Sequence, residues 1–271
     1  MARAVLVTGA SSGIGHASAL RLAGSGWRVF GGVRSEEDAE RLRGHGVEPL
    51  QLDVTHSAAI AAAAKVVGGE LQGLVDNAGI AIAAPLELVP LDELRRQLEV
   101  NVVGQVAVLQ AFLPALRRAG GRVVLVGSVG GRSALPFLGP YAASKHALEA
   151  IADSLRVELA PWRIGVSIVE PASVKTAIWT KGAAHADAMR ARMSHDRDEL
   201  YATRIERFRA VALKRGPGID PDVVARAVEH ALTASRPKAR YLVGRDAHIR
   251  AWIERLPTRL RDRVLAKALT E

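Results

Sequence analysis

Residues 8–17 read "TGASSGIGHA". A β-branched run, "RAVLVT" (3–8), leads into them, and a stretch of helical period near 14–25 follows. Gly9, Gly13 and Gly15 therefore open a helix at the end of a first strand. Glycines in that position allow a tight turn and let backbone N–H groups approach a pyrophosphate at the positive end of the helix. The spacing is G-x-x-x-G-x-G, a variant of the G-x-G-x-x-G fingerprint. A glycine trio alone makes turns anywhere; its place between a strand and a helix gives it meaning.

The same alternation continues along the chain. Strands are expected at 3–8, 27–33, 48–53, 72–76, 122–128, 164–170 and 240–243, with helical stretches near 14–25, 36–44, 56–68, 91–119, 141–160 and 220–235. Strands alternating with helices of this length indicate βαβ units and a parallel sheet. The strand candidates are mostly apolar throughout, which suits a sheet covered on both faces. The expected fold class is α/β: a Rossmann-type, doubly wound, mostly seven-stranded parallel sheet with helices on both faces. With no linker or repeat, residues 1–271 read as a single domain. The charged, helical segment at about 172–215 is long for a crossover and is a candidate substrate lid. A basic C-terminal helical extension covers about 245–271; it can close the substrate cleft, form a subunit contact, or lie on a membrane surface.

The 271 residues are 49% hydrophobic, ample for a core. The absence of cysteine excludes disulfides, thiolate metal sites and a cysteine nucleophile, and no metal is expected. Net charge is +9, but the excess is spread as arginine through helical segments, so a solvated basic surface is expected rather than a nucleic-acid partner. No stretch reaches about 18 uninterrupted apolar residues, and the N-terminus lacks the layout of a signal peptide. The expectation is a cytoplasmic protein without an integral membrane segment.

Two residues in "GPYAASKHALEAI", Tyr141 and Lys145, lie four apart at a helix start and share one face. A free tyrosine titrates near 10, and a nearby ammonium favours the phenolate, which lets Tyr141 exchange a proton with a carbonyl or alcohol oxygen. The alternative is an ordinary amphipathic helix with a surface lysine. Ser128 ends the fifth strand candidate, at the carboxyl edge where open α/β sheets bind ligands, and can hydrogen-bond the reacting oxygen; otherwise it is a strand-end turn residue. Asn101 sits in an apolar helix, "LEVNVVGQ", where a buried amide needs a partner; a local structural hydrogen bond is the alternative.

Taken in order, "TGASSGIG" (8–15), "LDV" (52–54), "DNAG" (76–79), Asn101, Ser128 in "LVGS", "YAASK" (141–145) and "EPASVKT" (170–176) resemble the short-chain dehydrogenase/reductase family over almost the whole chain. The flanking text "GGVRSEEDAERL…LDVT" and "EPASVKTAIWTK" is similar to its steroid- and retinol-dehydrogenase-like branch. The resemblance implies that Tyr141 is the general acid/base and Lys145 its activator and a ribose contact. It further implies that Ser128 orients the carbonyl and that Asn101 holds a water relaying protons through Lys145. The implied cofactor site comprises Gly9, Ser11, Ser12, Gly13, Ile14, Gly15, Arg34, Asp53, Val54, Asn77, Ala78, Gly79, Pro171, Val174 and Thr176, with Tyr141 and Lys145. Two positions depart from the family pattern: Asp76 stands where Asn is frequent, and Ala172 where Gly is usual.

The residue reading the ribose 2′ position lies about 20 residues past the first glycines, near Val33 to Ser35. In NAD-preferring relatives an acid ends that strand; here the matching residue is Val33, followed by Arg34. Guanidinium suits a 2′-phosphate, and Glu36, Glu37 and Asp38 read as first-turn residues behind an N-cap at Ser35. NADP(H) is the expected cofactor, with NAD(H) possible; the alternative for Arg34 is a salt bridge to a neighbouring helix. Substrate contacts are expected from Ser128, Leu135, Phe137, Tyr141 and Trp179. Ile178, Met189 and Met193 join this region, and Tyr201, Ile205 and Phe208 form a helical stripe that serves either as core or as an apolar substrate wall. A hydrophobic alcohol or ketone is the favoured substrate class, with small polar carbonyls or a non-catalytic dinucleotide-binding regulator as alternatives. The family resemblance also implies a homodimer or homotetramer.

Overall fold

The computed structural model describes residues 3–192, 195–214, 216 and 218–270. Seven strands, β1 (Ala4–Val7), β2 (Arg28–Val33), β3 (Val47–Gln51), β4 (Gly73–Asp76), β5 (Arg122–Val126), β6 (Gly165–Pro171) and β7 (Arg240–Val243), form one sheet in the order β3-β2-β1-β4-β5-β6-β7. Every neighbouring pair is parallel. The order reverses between β1 and β4, and at that switch point the connecting loops diverge to leave a crevice.

Alternation along each strand assigns the two faces. Leu6, Phe30, Leu74, Val123, Leu125 and Ile168 point to one side, where they meet α3 (Ser57–Val67), α5 (Gly104–Ala119) and α6 (Gly139–Glu158). Val5, Val7, Val29, Val75, Val124 and Val169 point to the other, against α1 (Gly13–Gly24), α2 (Glu36–Arg43) and α9 (Pro221–Thr233). Both faces are covered, as the continuous apolar strands require.

The expected helix at 91–119 is divided. α4 (Leu91–Leu98) passes into α5 through a π-helical turn at Glu99–Val103, and Asn101 sits in that turn. This rod is long and apolar enough to cross a membrane by length and composition, but its apolar side, including Val108, Leu109, Phe112 and Leu116, packs into the core. The lid region contains α7 (Ala177–Arg190) and α8 (His195–Lys214); Met193 lies outside the described residues. Met189 and Ala186 of α7 close on Ile82, Ala84 and Val89 in a small separate core. The C-terminal extension is two helices rather than one, α10 (Arg245–Ile253) and α11 (Thr258–Thr270), because Pro257 cannot continue α10.

A buried ion pair ties the loop after β5 to β6. Glu170 is fully buried, and Arg132 binds it through both Nε and Nη2, the latter at 3.0 Å from Oε1. The next cation, Arg240, is 3.9 Å from the same carboxylate. Arg132→Met leaves that carboxylate without its principal partner, so unfolding in urea should show a loss of about 3–5 kcal/mol.

Candidate active site

The crevice at the β1/β4 switch point is built by one hydroxyl and one amide. Thr8 Oγ1 donates to Asp76 Oδ1 at 2.9 Å and accepts from the backbone N–H groups of Asn77 at 2.8 Å and Ala78 at 2.9 Å. Asn77 Nδ2 returns to the carbonyls of Thr8 at 2.9 Å and Gly9 at 3.3 Å. The loop folded this way has no room for a side chain at Gly15, where a Cβ would stand 2.3 Å from the Gly9 carbonyl oxygen. Gly9 itself has φ of 64°, which L side chains rarely adopt.

These constraints leave the N-terminus of α1 available to an anion. Ser12 at the N-cap makes no side-chain capping bond, and the first turn holds no acid. That combination fits a pyrophosphate: the helix offers N–H donors and a positive field that no internal group neutralises. Ser11, Ser12, Gly13 and Ile14 belong to this loop, and a Cβ on Gly13 would collide with Thr176, so the β6–α7 loop forms the opposite wall. Pro171 ends β6, and Val174 pairs with Ile219 in an isolated bridge that fixes this loop.

At the other end, Asp53 and Val54 follow β3. Burial raises the Asp53 carboxyl, but hydrogen bonds from Thr55 and the positive charges of His56 and Arg34 outweigh it and hold the group below its ordinary value. Arg34 is thus close enough for its charge to reach Asp53, and it is exposed beyond β2. The three acids after it are occupied elsewhere. Ser35 caps α2, accepting from Asp38 N at 3.2 Å, while Glu36, Glu37 and Asp38 pair with Arg41 or Arg43.

Four residues marked for catalysis converge at the carboxyl ends of β4 and β5. Tyr141 and Lys145 share a face of α6, with Lys145 Nζ 5.9 Å from the Tyr141 ring centroid. Lys145 is buried and donates to the Val126 carbonyl at 2.8 Å. Ser128, two residues past β5, accepts from Gly130 N at 3.0 Å, and its hydroxyl also acts on the Tyr141 phenol. The effect on Tyr141 differs from the sequence expectation: burial raises its pKa, and Ser128 and Arg250 only partly offset this. Burial also brings Lys145 down to about 8, against the pull of Asp76 and Glu149, and pushes Asp76 up to about 7 against Thr8 and Lys145.

Asn101 is fully buried, and its amide is used structurally. Oδ1 accepts from Ile80 N at 2.9 Å, and Nδ2 donates to Ile80 O at 3.0 Å and Ser144 Oγ at 3.1 Å. Ser144 donates in turn to the Tyr141 carbonyl at 2.7 Å, so Asn101 braces the helix that carries the tyrosine. Two further amides act alongside it. Gln97 exchanges hydrogen bonds with Ile82 N at 2.7 Å and Ile80 O at 2.9 Å, and Gln105 donates to Ala78 O at 2.8 Å. Gln97, Asn101 and Gln105 recur every four residues in an apolar stretch, a sequence signal for one polar face stitched to Ala78–Ile82.

A cavity of about 1480 Å³ opens from Ser128 and Tyr141 outward. Leu135, Phe137 and Trp179 line it, as do Met189, Ile205 and Phe208. Trp179 meets Tyr141 edge to face at 5.6 Å. Phe137 holds φ of 66°, costing about 1–3 kcal/mol for a non-glycine residue, and packs against Tyr201 and Phe208 at 6.4 and 5.6 Å. The stripe on α8 therefore divides: Ile205 and Phe208 face the cavity, while Tyr201 donates to Glu87 at 2.7 Å. The Ala172 methyl points to the β7–α10 turn, within 3.4 Å of where a Cβ on Gly244 would stand. Sequence reasoning did not single out two other lining residues, Ser133 and Arg250.

Comparison with known proteins agrees with this arrangement. The family described as short chain dehydrogenase matches residues 3–187. The chain is 36% identical to an NADPH-dependent 3-dehydrocapnine reductase from Ornithobacterium rhinotracheale, over 98% of this chain and 97% of that protein. It is 38% identical to human retinol dehydrogenase 16, over 90% and 81% of the two chains. A short chain dehydrogenase from Burkholderia cenocepacia, solved in complex with NADP, superposes with a TM-score of 0.76 at 27% identity, covering 100% of this chain and 98% of that one. Ordered motifs, sheet topology and full-length similarity coincide: the chain belongs to the short-chain dehydrogenase family and is an oxidoreductase acting on CH–OH groups.

Proposed function

We propose that the protein is an NADP(H)-dependent oxidoreductase that interconverts a carbonyl and a secondary alcohol on an apolar, steroid-, retinoid- or lipid-like substrate. The observation that carries this reading is that Ser128 and Tyr141 line a mainly apolar cavity, with Lys145 buried beside the Tyr141 ring. The bound dinucleotide supplies or accepts the hydride. The chain's own residues handle the proton: Tyr141, kept neutral by burial, donates it to the carbonyl oxygen, and Ser128 fixes that oxygen. Lys145, protonated at neutral pH, favours the phenolate needed in the reverse direction. Asn101 contributes by bracing α6 through Ser144. A cytoplasmic homo-oligomer is part of the same reading; Val103 and Val157, exposed on helices beside the site, support a subunit contact.

Preference for NADP(H) rests on Val33, which ends β2 without a carboxylate, and on Arg34, which forms no ion pair among the described residues. The similarity to an NADPH-dependent reductase supports it. Arg34→Asp should lower kcat/KM for NADPH by about 10- to 100-fold, the worth of a charge-assisted hydrogen bond, while sparing NADH. Equal loss with both cofactors would defeat the assignment.

Tyr141→Phe should cut turnover of a ketone panel by about 10²- to 10⁴-fold with NADPH binding, followed by fluorescence, nearly unchanged. Retained turnover would remove Tyr141 from the chemistry.

Asp76 gives a pH prediction. Its folded pKa of about 7 lies above the ordinary 3.8. Its neutral form therefore contributes stability that is complete below the unfolded value and is lost as pH rises toward 7. Asp76→Asn keeps an acceptor for Thr8 and removes the ionisation. Calorimetry should show the variant gaining on the wild type from pH 5 to pH 7, then a constant margin of about 1–3 kcal/mol above pH 7. A variant less stable than wild type at pH 8 would show that the Asp76–Lys145 attraction dominates.

A further inference from the structure

Behind α6 lies a buried charge cluster that the proton transfer at Tyr141 does not use. Glu149 stands one helical turn after Lys145, so the two side chains are neighbours on one face of the helix. The Glu149 side chain is only 12% exposed. Its Oε2 accepts from Arg240 Nη1 at 2.8 Å, while Oε1 is buried without a hydrogen bond. The loop after Ser128 lies directly against this turn of α6: a Cβ on Gly131 would stand 2.7 Å from the Lys145 carbonyl oxygen and 3.2 Å from Glu149 Cγ.

The charged groups around Glu149 come from four parts of the fold. From β7, Arg240 also binds both oxygens of Asp153 at 2.7 and 2.8 Å, and it lies 3.9 Å from Glu170 of β6. From the loop after β5, Arg132 is bound to Glu170. α6 itself supplies Lys145, Asp153 and Arg156, the last two paired with each other, while His146 bonds the Ala142 carbonyl. The arginines Arg132, Arg156 and Arg240 thus balance Glu149, Asp153 and Glu170 only when Glu149 is ionised. Burial and Glu170 push Glu149 up to about 7, against Arg240, Arg132 and Arg156. Its carboxylate therefore forms as pH rises through about 7, before Lys145, at about 8, gives up its proton. Over that range the new negative charge opposes the loss. The other carboxyl acting on Lys145 is Asp76, which reaches it from β4.

We propose that Glu149 is a positioning residue for Lys145: anchored by Arg240 and backed by the ion cluster, its buried carboxylate holds the ammonium in its charged form. This rests on the proposed function for what Lys145 does to Tyr141, while the link between Glu149 and Lys145 is a property of the fold. Stability is a poor reason for such a cluster, because desolvation offsets the attraction of buried charges and the unbonded Oε1 adds a further penalty. An effect on the lysine gives the carboxylate a use at the site.

The chain has seven lysines, few enough for their ¹³Cε signals to be followed one by one in lysine-labelled protein. Lys145→Arg identifies the Lys145 signal by its loss. The full chain, with and without NADP⁺, is then titrated by NMR across the range in which Lys145 loses its proton. Glu149→Gln should lower the Lys145 midpoint by about half a unit or more, the effect of removing an opposite charge. Glu149→Leu, which leaves no amide to bury, should do the same, and Glu149→Asp should keep most of the wild-type value. Asp153→Asn, which disturbs Arg240 in the same cluster two turns from the lysine, should shift the midpoint by less than half as much. With any ketone that the wild type reduces, the alkaline limb of kcat/KM should move down together with the NMR midpoint. An unchanged midpoint in folded Glu149→Gln or Glu149→Leu would overturn the proposal. So would an equal shift in Asp153→Asn, which marks a general loosening of the cluster. Circular dichroism of each variant verifies folding. Because the midpoint is read without turnover, the two readings fail separately. Retained turnover in Tyr141→Phe would remove the proposed function and leave the Glu149 effect standing, and an inactive Tyr141→Phe beside an unmoved Lys145 would do the reverse.

Discussion

The hydrogen bonds that fasten the end of β1 to the end of β4 govern the rest of the site. Thr8 is the common partner of Asp76, Asn77 and Ala78, and Asn77 closes the circuit by binding the first turn of the glycine loop. Since the strand order reverses between these two strands, the loops leaving them must part. The staple sets how far they part and holds the N-terminus of α1 directed into the opening. Gly9 and Gly15 are consequences of it: one for its backbone angle, the other because the Gly9 carbonyl and the Asn77 amide occupy the space a side chain needs.

The same closeness brings Asp76 within electrostatic reach of Lys145. Two opposite charges brought into a dry interior attract, but each also loses water, and here desolvation is the larger effect on both: the carboxyl is pushed up and the ammonium down. The two groups titrate near neutrality instead of behaving as a fixed ion pair. Lys145 then depends on the Val126 carbonyl for its hydrogen bond and on Asp76 and Glu149 for its charge. Tyr141, buried beside it, keeps its proton. A site so arranged holds the acid form in reserve and can be shifted toward phenolate by any added positive charge.

The fold and much of the site were legible from residue pattern because both follow local rules. Short β-branched, mostly apolar runs between stretches of helical period located all seven strands, and Ser35 read correctly as a cap because the bond it makes is three residues long. The motif "YAASK" placed Tyr141 and Lys145 on one face because helical geometry leaves no other arrangement. What failed to show depends on distant chain. The rise in Tyr141 pKa comes from burial by surrounding elements, whereas the ammonium expected to lower it lies only four residues along the same helix. The division of the C-terminal segment at Pro257 was visible in principle, yet the reach of Arg250 to Ser133 spans 117 positions and leaves no local trace. Gln97 and Gln105 stand between these cases: their four-residue spacing with Asn101 was readable, but only the fold reveals that the chain they stitch is Ala78–Ile82.

This contrast reflects a physical division of labour. Ser128, Tyr141 and Lys145 are set on the sheet edge and on α6, where backbone pairing, the Asn101–Ser144 brace and the Arg132–Glu170 pair leave little freedom. The cavity wall is different: α7 rests on a core of five buried residues, and the aromatic contacts of Phe137 bind a strained loop residue to α8. Few buried contacts make the wall the part most easily opened, and strain stored at Phe137 lowers the cost of moving it further. The buried, hydrogen-bonded groups at the sheet edge and the wall of the cavity lie in separate parts of the chain, joined where α10 meets the loop that carries Ser128.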